Sequence, residues 1–514
     1  MYSNIEQVNI LTSLLVAHGV KHAVCCPGSR NSPIVHNLSV CPDIVCYPVT
    51  DERSAGFYAL GMSQCLKGPV AVCVTSGTAL LNLAPAVAEA YYQHIPLVVI
   101  SADRPQAWID QLDGQTLPQP DALGRFVKKA VSLPETHDDE TRWYCNRLVN
   151  EALLERHAPV HINVPISEPL FDYSIAALPV ERRIERLPAD ISNQTLSHVC
   201  RMFMQSERPM LIAGQPMNLG YDEAVCLIGD DESYVPDFVL YIGGSIVSKR
   251  LKRFLRKAKE TWVVNATGEV TDTFMNLSHV VQGDGDVVAD QIRFFLEQQP
   301  HPFVQRWEAL LAKVRAHAAD YQPAYSEMAV VKHLEQLLGA SAMGAVHYAN
   351  STAIRLANIY ACHDVYCNRG VNGIDGSLST AAGFSCVAED KVFCVIGDLS
   401  FFYDQNALWN QNLRGNFRIL LLNNGKGGIF NMLKGLEQSP ARDQFVAARH
   451  QTSAEGICQQ NNVKYLKATN LSEVQQGLDT LLNIESDRPV LLEVFTDAAE
   501  DERVFKDYYK TLKL

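Results

Sequence analysis

The amino-acid sequence predicts an α/β protein made of three doubly wound parallel-sheet domains. Its 514 residues correspond to about three domains of ordinary size. Short apolar runs recur along the chain, and each is followed by a polar turn and then by a helical stretch. The runs are continuously apolar rather than alternating, which is typical of strands whose two faces are both covered by helices.

The first predicted domain covers residues 1–178. It contains three apolar runs that predict strands, and each run ends at a turn that precedes a helical stretch. This repetition favours a single parallel sheet. The strands with their turns are Ala23–Cys26 with Pro27–Arg30, Val70–Val74 with Thr75–Thr78, and Leu97–Ile100 with Ser101–Arg104.

Two further domains follow a predicted linker at Leu178–Pro188. We expect the second domain at residues 190–298 and the third at 325–514, with the charged helical segment Phe303–Tyr321 between them. The predicted strands are Met210–Ala213 and Phe238–Ile242 in the second domain, and Val392–Ile396, Ile419–Leu422 and Val490–Val494 in the third.

Composition and charge exclude several classes of protein. Lys and Arg total 44 against 57 Asp and Glu, a net charge of −13, which argues against general nucleic-acid binding. No apolar run approaches the roughly 18 residues of a membrane span. The start of the chain lacks the basic and apolar regions of a secretory signal, and the 14 cysteines often lie in apolar runs. These features favour a cytoplasmic protein with reduced thiols.

Two polar turns in the third domain suggest a phosphate and metal site. Gly397-Asp398-Leu399-Ser400 and Asn423-Asn424-Gly425-Lys426 each follow a predicted strand. In open α/β sheets, ligands bind at the carboxyl ends of strands. Asp398 and Asn424 offer oxygen ligands suited to Mg²⁺ shared with a phosphorylated ligand, and the glycines let backbone N–H groups approach a diphosphate.

Either turn alone is also explained as an ordinary strand-to-helix turn with a capping Asp or Asn. Together, at this spacing, they resemble the thiamine diphosphate motif, in which Gly-Asp-Gly is followed after one helix and one strand by Asn-Asn. Leu399 departs from that motif, because it replaces the last glycine. Gly283-Asp284-Gly285 matches the triplet better, but no Asn pair follows it, so we interpret that segment as a turn.

Thiamine chemistry also needs a carboxyl group hydrogen-bonded to the aminopyrimidine ring of the cofactor. This carboxyl stabilises the imino tautomer that removes the thiazolium proton, and it works best in an apolar site where it keeps its own proton. Glu52, at the predicted start of a helix, is the candidate. The alternative is a helix N-terminal carboxylate that only complements the helix dipole.

A larger set of motifs is shared with one enzyme family. The motifs are Cys26–Pro33, Asp51–Arg53, Thr75–Ala79, Ser101–Pro105, Asp113–Thr116, Ser248–Leu251, Asn350-Ser351 with Arg355, Asn368–Gly376 and Gly397–Ser400. Over nearly the whole chain they resemble the 2-succinyl-5-enolpyruvyl-6-hydroxy-3-cyclohexene-1-carboxylate (SEPHCHC) synthase family, thiamine diphosphate-dependent transferases of menaquinone biosynthesis. Leucine after Gly-Asp is usual in that family. One departure is the segment between Glu223 and Asp237, which is usually longer.

Basic residues recur at predicted turns of this acidic protein, among them Arg30, Arg104 and Arg369. A guanidinium binds a carboxylate through two parallel hydrogen bonds, so several of them at one site would select substrates with more than one carboxylate. For any single arginine, a surface ion pair is the plainer explanation. The resemblance implies the first interpretation, with the dicarboxylates 2-oxoglutarate and isochorismate as substrates.

The resemblance also implies a role for each matching residue. It implies a pyrimidine-binding first domain, a central second domain and a diphosphate-binding third domain. The implied residues are Ser351, Arg355 and Arg369 for the 2-oxoglutarate-derived part; Ser29, Arg30, Arg104, Gln115, Lys249 and Arg250 for isochorismate; Asp398, Asn424 and the carbonyl of Lys426 for Mg²⁺ or Mn²⁺; and Glu52, Ser76, Ile374, Gly397, Asp398, Leu399, Ser400, Asn424, Ile429 and Phe430 for thiamine diphosphate.

The resulting hypothesis is a decarboxylation of 2-oxoglutarate on thiamine diphosphate, followed by conjugate addition of the succinyl-semialdehyde carbanion to isochorismate. In this fold family the two halves of each site come from different subunits, which implies a homodimer or a dimer of dimers. Two other interpretations stay open: another thiamine enzyme, such as an acetolactate synthase or a 2-oxoacid decarboxylase, and a non-catalytic binding protein with the same fold.

Overall fold

The computed structural model describes residues 1–186, 191–214, 220–339, 344–432 and 435–513. Within these residues the chain forms three sheets, and every strand pair inside them is parallel. Helices alternate with the strands along the chain, so the predicted α/β class is confirmed. The end of the predicted linker (187–188) and the predicted start of the second domain (190) lie outside the described residues.

The first sheet has six strands in the order β2-β1-β3-β4-β6-β5. The chain moves outward from β1 in both directions, so the strand order reverses between β1 and β3, where α/β sheets bind ligands. Its strands are β1 His22–Cys25, β2 Val45–Pro48, β3 Val70–Val74, β4 Leu97–Asp103, β5 Lys129–Ser132 and β6 Val160–Pro165; its helices are α1 Glu6–Ala17, α2 Ser32–Val40, α3 Glu52–Leu66, α4 Thr78–Asn82, α5 Ala84–Tyr92 and α6 Asp139–Leu153.

The second sheet has four strands in the order β10-β9-β8-β7. The turn at Gly283-Asp284-Gly285 is confirmed, since the Asp284 side chain caps the helix that follows it. The elements are α7 Asn193–Gln205, β7 Pro209–Ala213, α8 Tyr221–Ile228, β8 Phe238–Ile242, α9 Lys249–Leu255, β9 Glu260–Asn265, β10 Leu277–Gln282, α10 Gly285–Gln298 and α11 Pro302–Asp320.

The third sheet has five strands in the order β11-β12-β13-β15-β14. Its central strands are mostly apolar and buried on both faces, as their sequence predicts, although β13 and β15 also bury Arg418 and Glu493. The elements are α12 Glu327–Leu338, β11 Gly344–Tyr348, α13 Thr352–Tyr360, α14 Ser377–Val387, β12 Lys391–Gly397, α15 Asp398–Tyr403, β13 Phe417–Asn423, α16 Glu455–Gln460, β14 Lys464–Ala468, α17 Leu471–Asn483, β15 Val490–Phe495 and α18 Ala498–Thr511.

Helices α3 and α14 join the first sheet to the third through one continuous apolar core. Their backbones touch at two glycines: a Cβ on Gly61 would lie 1.9 Å from the carbonyl oxygen of Thr380, and one on Gly383 would lie 2.2 Å from that of Tyr58. Only glycine permits this approach. The contact fixes the start of α3, where Glu52 lies, relative to the third sheet.

Among the described helices, none is long and apolar enough to cross a membrane.

Candidate active site

Asp398 and Asn424 emerge side by side at the carboxyl edge of the third sheet. Strands β12 and β13 are neighbours, and Gly397 is in register with Leu422. The Asp398 carboxylate accepts hydrogen bonds from the backbone N–H groups of Leu399 (2.6 Å) and Gly425 (2.8 Å), so it ties the two turns together. The structure therefore brings together the two residues that sequence spacing paired.

The Asn424 amide is oriented by two carboxyl groups that the sequence did not suggest, the buried Glu327 and the half-buried Asp501. Its Nδ2 donates to Glu327 Oε1 (3.1 Å) and to Asp501 Oδ2 (3.2 Å). Burial, together with the nearby Asp501 and Asp398, raises the pKa of Glu327 well above its usual range, and burial raises the pKa of Asp501 to about 6. Because Nδ2 is engaged with this pair, the Asn424 Oδ1 is turned to the other side, toward the N–H of Lys426 at 3.3 Å.

This donor set fits a divalent cation that is also held by a diphosphate. Asp398 and Asn424 provide two side-chain oxygens, and the turn at Lys426 provides a carbonyl. Across the described residues, no group of three or more His, Cys, Asp or Glu side chains is arranged to hold a metal alone. Mg²⁺ usually takes one or two carboxylates and completes its coordination with phosphate oxygens and water, which agrees with so few protein ligands.

His450 also faces this site. Its Nε2 lies 3.3 Å from Oδ2 of Asp398, and the carboxylate raises the pKa of the imidazole. The His450 backbone N–H donates to the carbonyl oxygen of Gly425 (2.8 Å), so the segment carrying the histidine packs on the Gly-rich turn. Sequence reasoning missed this residue, since it is 52 positions from Asp398 (450 − 398) and belongs to no motif.

Glu52 is the first residue of α3, as predicted. Its carboxylate is partly exposed and accepts a hydrogen bond from Asn82 Nδ2 (3.2 Å). The residues on either side are anchored to the third domain of the same chain: Asp51 accepts from Asn406 (2.7 Å), and Arg53 donates to the carbonyl oxygen of Tyr403 (2.8 Å). The backbone around Glu52 is thus fixed, while its carboxylate stays accessible.

Arg30 and Arg104 lie together at the carboxyl edge of the first sheet. They share one oxygen of Glu168, at 3.2 Å from Arg30 and 3.9 Å from Arg104. Burial and the neighbouring Arg104 guanidinium lower the pKa of Arg30. The Glu168 side chain is 71% exposed, whereas the Arg30 side chain is 6% exposed. Arg30 and Arg104 therefore form ion pairs within the chain, and together they make a cluster of positive charge.

Other residues predicted for this domain lie around the same edge. Ser29 and Gln115 are exposed, whereas Ser76 is buried and its hydroxyl has no hydrogen-bond partner among the described residues. Gln119 joins the turn that carries Ser76 to the end of β4, since it accepts from Gly77 N–H (2.7 Å) and donates to the carbonyl oxygen of Ala102 (3.1 Å). Because the buried Ser76 hydroxyl has no partner, it is suited to hydrogen-bond a polar ligand at this edge of the sheet.

Lys249, Arg250 and Arg355 line one cavity of about 420 Å³ between the second and third domains. The family resemblance assigns these three residues to two different substrates, and the structure places them around the same space. Burial lowers the pKa of Arg355, which indicates the cost of keeping this cation in a largely enclosed position. A cavity of this size with several cations suits a small polyanionic ligand.

The cavity has further walls that sequence motifs did not reveal. Helix α18 contributes Phe505, Lys506 and Tyr509, and α8 contributes Asp222. The Asp222 carboxylate is bound by Arg250 and Ser248 and accepts a hydrogen bond from Tyr509 (2.9 Å). Arg250 is therefore already paired, whereas Lys249 is exposed. No local pattern could have revealed α18, which follows α9 by more than 240 residues (498 − 255 = 243).

Arg369, Ile374 and Ser351 belong to two neighbouring loops of the third domain. Arg369 Nη1 donates to Asn350 Oδ1 (3.0 Å), and the Ile374 carbonyl oxygen accepts from Ser400, which ties its loop to the Gly-Asp turn. Ser351 has a φ of +79°, a strained conformation for a residue with a side chain. Ile429 and Phe430 follow on the Gly-rich turn and are only partly buried.

Two family models match this chain. The model described as "Thiamine pyrophosphate enzyme, N-terminal TPP binding domain" matches residues 6–123, and "Thiamine pyrophosphate enzyme, C-terminal TPP binding domain" matches residues 348–494. The first span contains Glu52 and the second contains Asp398 and Asn424. Together with the fold and the two strand-end turns, these matches define a thiamine diphosphate-dependent enzyme.

Full-length relatives identify the family within that class. Proteins named 2-succinyl-5-enolpyruvyl-6-hydroxy-3-cyclohexene-1-carboxylate synthase are 44% identical in Bacteroides fragilis, over all of both chains, and 42% identical in Phocaeicola vulgatus, over all of this chain and 99% of the relative. The protein of that name from Porphyromonas gingivalis is 33% identical over 99% of this chain and 97% of its own. The chain belongs to the SEPHCHC synthase family, and the resemblance seen in its motifs is confirmed.

The alignment with one of these relatives contains gaps in this chain. The alignment with the Bacteroides fragilis protein spans 561 positions against 514 residues here, so at least 47 positions face a gap in this chain (561 − 514). In the structure, the segment that is usually longer consists of the remainder of α8, one 3₁₀ turn at Glu232–Tyr234 and the lead into β8.

Proposed function

We propose that this protein decarboxylates 2-oxoglutarate and joins the remaining four-carbon unit to isochorismate, giving SEPHCHC and carbon dioxide in menaquinone biosynthesis. The observation that carries this proposal is the cavity lined by Lys249, Arg250 and Arg355, because its cationic wall suits substrates with several carboxylates. The names of the full-length relatives support the same reaction.

Thiamine diphosphate would supply a nucleophilic carbon and an electron sink for the loss of carbon dioxide. In the proposal, Glu52 holds a proton at its carboxyl group and hydrogen-bonds the pyrimidine end of the cofactor. Asp398, Asn424 and the carbonyl of Lys426 hold Mg²⁺ or Mn²⁺ at the diphosphate end. The turn Gly397–Ser400 and Ser76 contribute further polar contacts.

The chain's other residues would bind the two substrates and limit access of water. Arg355, Arg369 and Ser351 orient the 2-oxoglutarate part, while the remaining cations and polar groups receive isochorismate. Ile374, Ile429 and Phe430 form the apolar wall, which favours decarboxylation because a dry site disfavours separated charges. The residues proposed for isochorismate are Ser29, Arg30, Arg104, Gln115, Lys249 and Arg250.

The proposal includes a homodimer as the smallest active unit, with Glu52 of one subunit facing the metal site of the other. Large apolar side chains near the predicted edge residues of the first domain support it. Leu81, next to Asn82, is 44% exposed, and Trp108 and Leu112 are 57% and fully exposed. Such side chains beside a polar site are typical of a surface that a partner covers.

Mass-spectrometric product identification tests the reaction. The protein is incubated with 2-oxoglutarate and isochorismate, with and without thiamine diphosphate and Mg²⁺. We expect SEPHCHC and one equivalent of carbon dioxide only when both cofactors and both substrates are present. Equal carbon dioxide release without isochorismate would identify a simple 2-oxoacid decarboxylase, acetolactate from pyruvate would identify a different synthase, and no turnover would indicate a binding protein.

A further inference from the structure

Glu89 is a buried carboxylate that reaches from the first domain to the third. It lies on α5 and is 3% exposed. Its two oxygens accept hydrogen bonds from successive backbone N–H groups, Oε1 from Gly370 (2.7 Å) and Oε2 from Val371 (2.6 Å). A third donor, Gln93 Nε2, lies 2.5 Å from Oε1. Hydrogen bonds to an ionised acceptor are short and about twice as strong as neutral ones. The contacts of Glu89 with residues 370 and 371 are therefore strong.

The loop that Glu89 holds, residues 368–376, carries Arg369 and Ile374. Asn350 binds the same loop within the third domain: its Nδ2 donates to the carbonyl oxygens of Asn368 (2.6 Å) and Gly373 (2.7 Å). Arg369 is thus held from two sides. Its Nη1 donates a hydrogen bond to Asn350, and the next two backbone N–H groups donate to Glu89. The Arg369 Nε is buried and has no hydrogen-bond partner among the described residues, so the donors of the guanidinium are not all used within the chain.

The close approach depends on the residue at position 370. A Cβ on Gly370 would lie 2.7 Å from the backbone carbonyl oxygen of Glu89 and 3.1 Å from its carboxyl group. A larger residue would push the loop away from α5. This contact between the two domains therefore requires both Gly370 and Glu89.

We propose that Glu89 is a positioning residue, which sets the direction of the Arg369 guanidinium toward a substrate carboxylate by fixing the backbone of residues 370 and 371. Glu89 itself contacts no substrate in this proposal. The assignment of Arg369 to 2-oxoglutarate rests on the proposed function, whereas the anchoring of the loop does not. Two readouts can therefore separate the two ideas.

The first readout is hydrogen–deuterium exchange, measured by mass spectrometry on the holoenzyme. Glu89→Gln keeps the size of the side chain but leaves only one acceptor oxygen for two N–H donors. We expect exchange in peptides covering residues 368–376 to quicken by about tenfold, the scale of one lost charge-assisted hydrogen bond. Glu151→Gln is the matched control: it removes the same charge in the same domain from a carboxylate paired with Lys129, and it should leave this loop unchanged.

The second readout is steady-state kinetics of the same variants. We expect the KM for 2-oxoglutarate to rise about tenfold in Glu89→Gln, with kcat within about threefold of the parent and the KM for isochorismate unchanged. Gly370→Ala leaves Glu89 intact and should produce the same pair of changes, which keeps the test available if Glu89→Gln folds poorly.

Unchanged exchange in residues 368–376 of both variants would overturn the proposal. Faster exchange with an unchanged KM for 2-oxoglutarate would overturn the link from the loop to Arg369. If the unmodified enzyme does not consume 2-oxoglutarate at all, the proposed function fails, while the exchange result still decides whether Glu89 anchors the loop.

Discussion

The carboxyl edges of the third and first sheets differ in how completely their polar groups are satisfied within one chain. In the third sheet, Asp398 is buried and accepts two backbone hydrogen bonds, and the Asn424 amide is held by two carboxyl groups. In the first sheet, Glu52 is partly exposed and meets Asn82 only through a 3.2 Å contact. Arg30 and Arg104 share a solvent-exposed glutamate, and Arg104 also pairs with Asp113 at 3.4 Å.

Preorganisation is therefore unequal between the two halves of the proposed site. The side of Asp398 and Asn424, proposed to bind the metal, is held by partly buried hydrogen bonds before any ligand binds, which lowers the cost of positioning a cofactor there. The Glu52 side presents accessible groups on a fixed backbone, which suits a surface completed by a partner. The comparison predicts that the two halves fail in different ways when they are altered.

The largest effect is expected for Glu52→Gln. An amide cannot hold the carboxyl proton, so we expect turnover to fall by on the order of 10²–10⁴, while calorimetry shows nearly unchanged affinity for thiamine diphosphate. Glu140→Gln is the matched control, since Glu140 is also an acidic residue in the first turn of a helix, in α6. Near-normal turnover in Glu52→Gln would leave Glu52 with a helix-dipole role only.

A second variant addresses the metal side. Asp398→Ala removes the proposed metal ligand and the acceptor that joins the two turns, so Mg²⁺-dependent binding of thiamine diphosphate should weaken by about a hundredfold in isothermal calorimetry. The control is Asp390→Ala, an exposed aspartate at the opposite end of the same strand. Equal affinities of parent and Asp398→Ala would place the metal elsewhere.

A smaller effect is expected from Glu327→Gln. Gln offers one acceptor oxygen and an amide that competes with Asn424, so the Asn424 Oδ1 should be held less firmly. We expect the Mg²⁺ concentration needed for half-maximal cofactor binding to rise about tenfold, as for other groups that orient metal ligands. Glu502→Gln, next to Asp501 but paired with Lys506, should leave it unchanged. If both variants behave alike, Glu327 does not orient the amide.

Sequence reasoning found the parts of this arrangement that are local. Strand ends and polar turns lie next to each other in the chain, so Asp398, Asn424 and the start of α3 at Glu52 followed from apolar runs and motifs. The parallel order of strands could also be anticipated, because continuous apolar runs separated by helices leave few alternatives.

The groups that hold these residues in place could not be predicted in the same way. Glu327 lies 97 positions from Asn424, and Glu89 lies 281 positions from Gly370. Asp222 and Tyr509, which share a hydrogen bond, are 287 positions apart in the sequence. Their own surroundings in the sequence are ordinary helix turns, and only the packing of separate domains brings them together. Motifs locate the reactive side chains, whereas the supporting hydrogen bonds come from the tertiary fold.

In the proposed homodimer, Glu52 of one subunit serves the metal site of the other, and a complementation experiment can decide whether it does. Glu52→Gln and Asp398→Ala chains are coexpressed with different affinity tags, and the mixed assembly is purified by both tags. It is assayed at a thiamine diphosphate concentration that saturates the parent but at which each variant alone has little activity. One site then carries both substitutions and the other carries neither, so about half of the parent activity should return. Mixed assemblies as inactive as either variant would contradict the claim, because each site would then be built from a single chain.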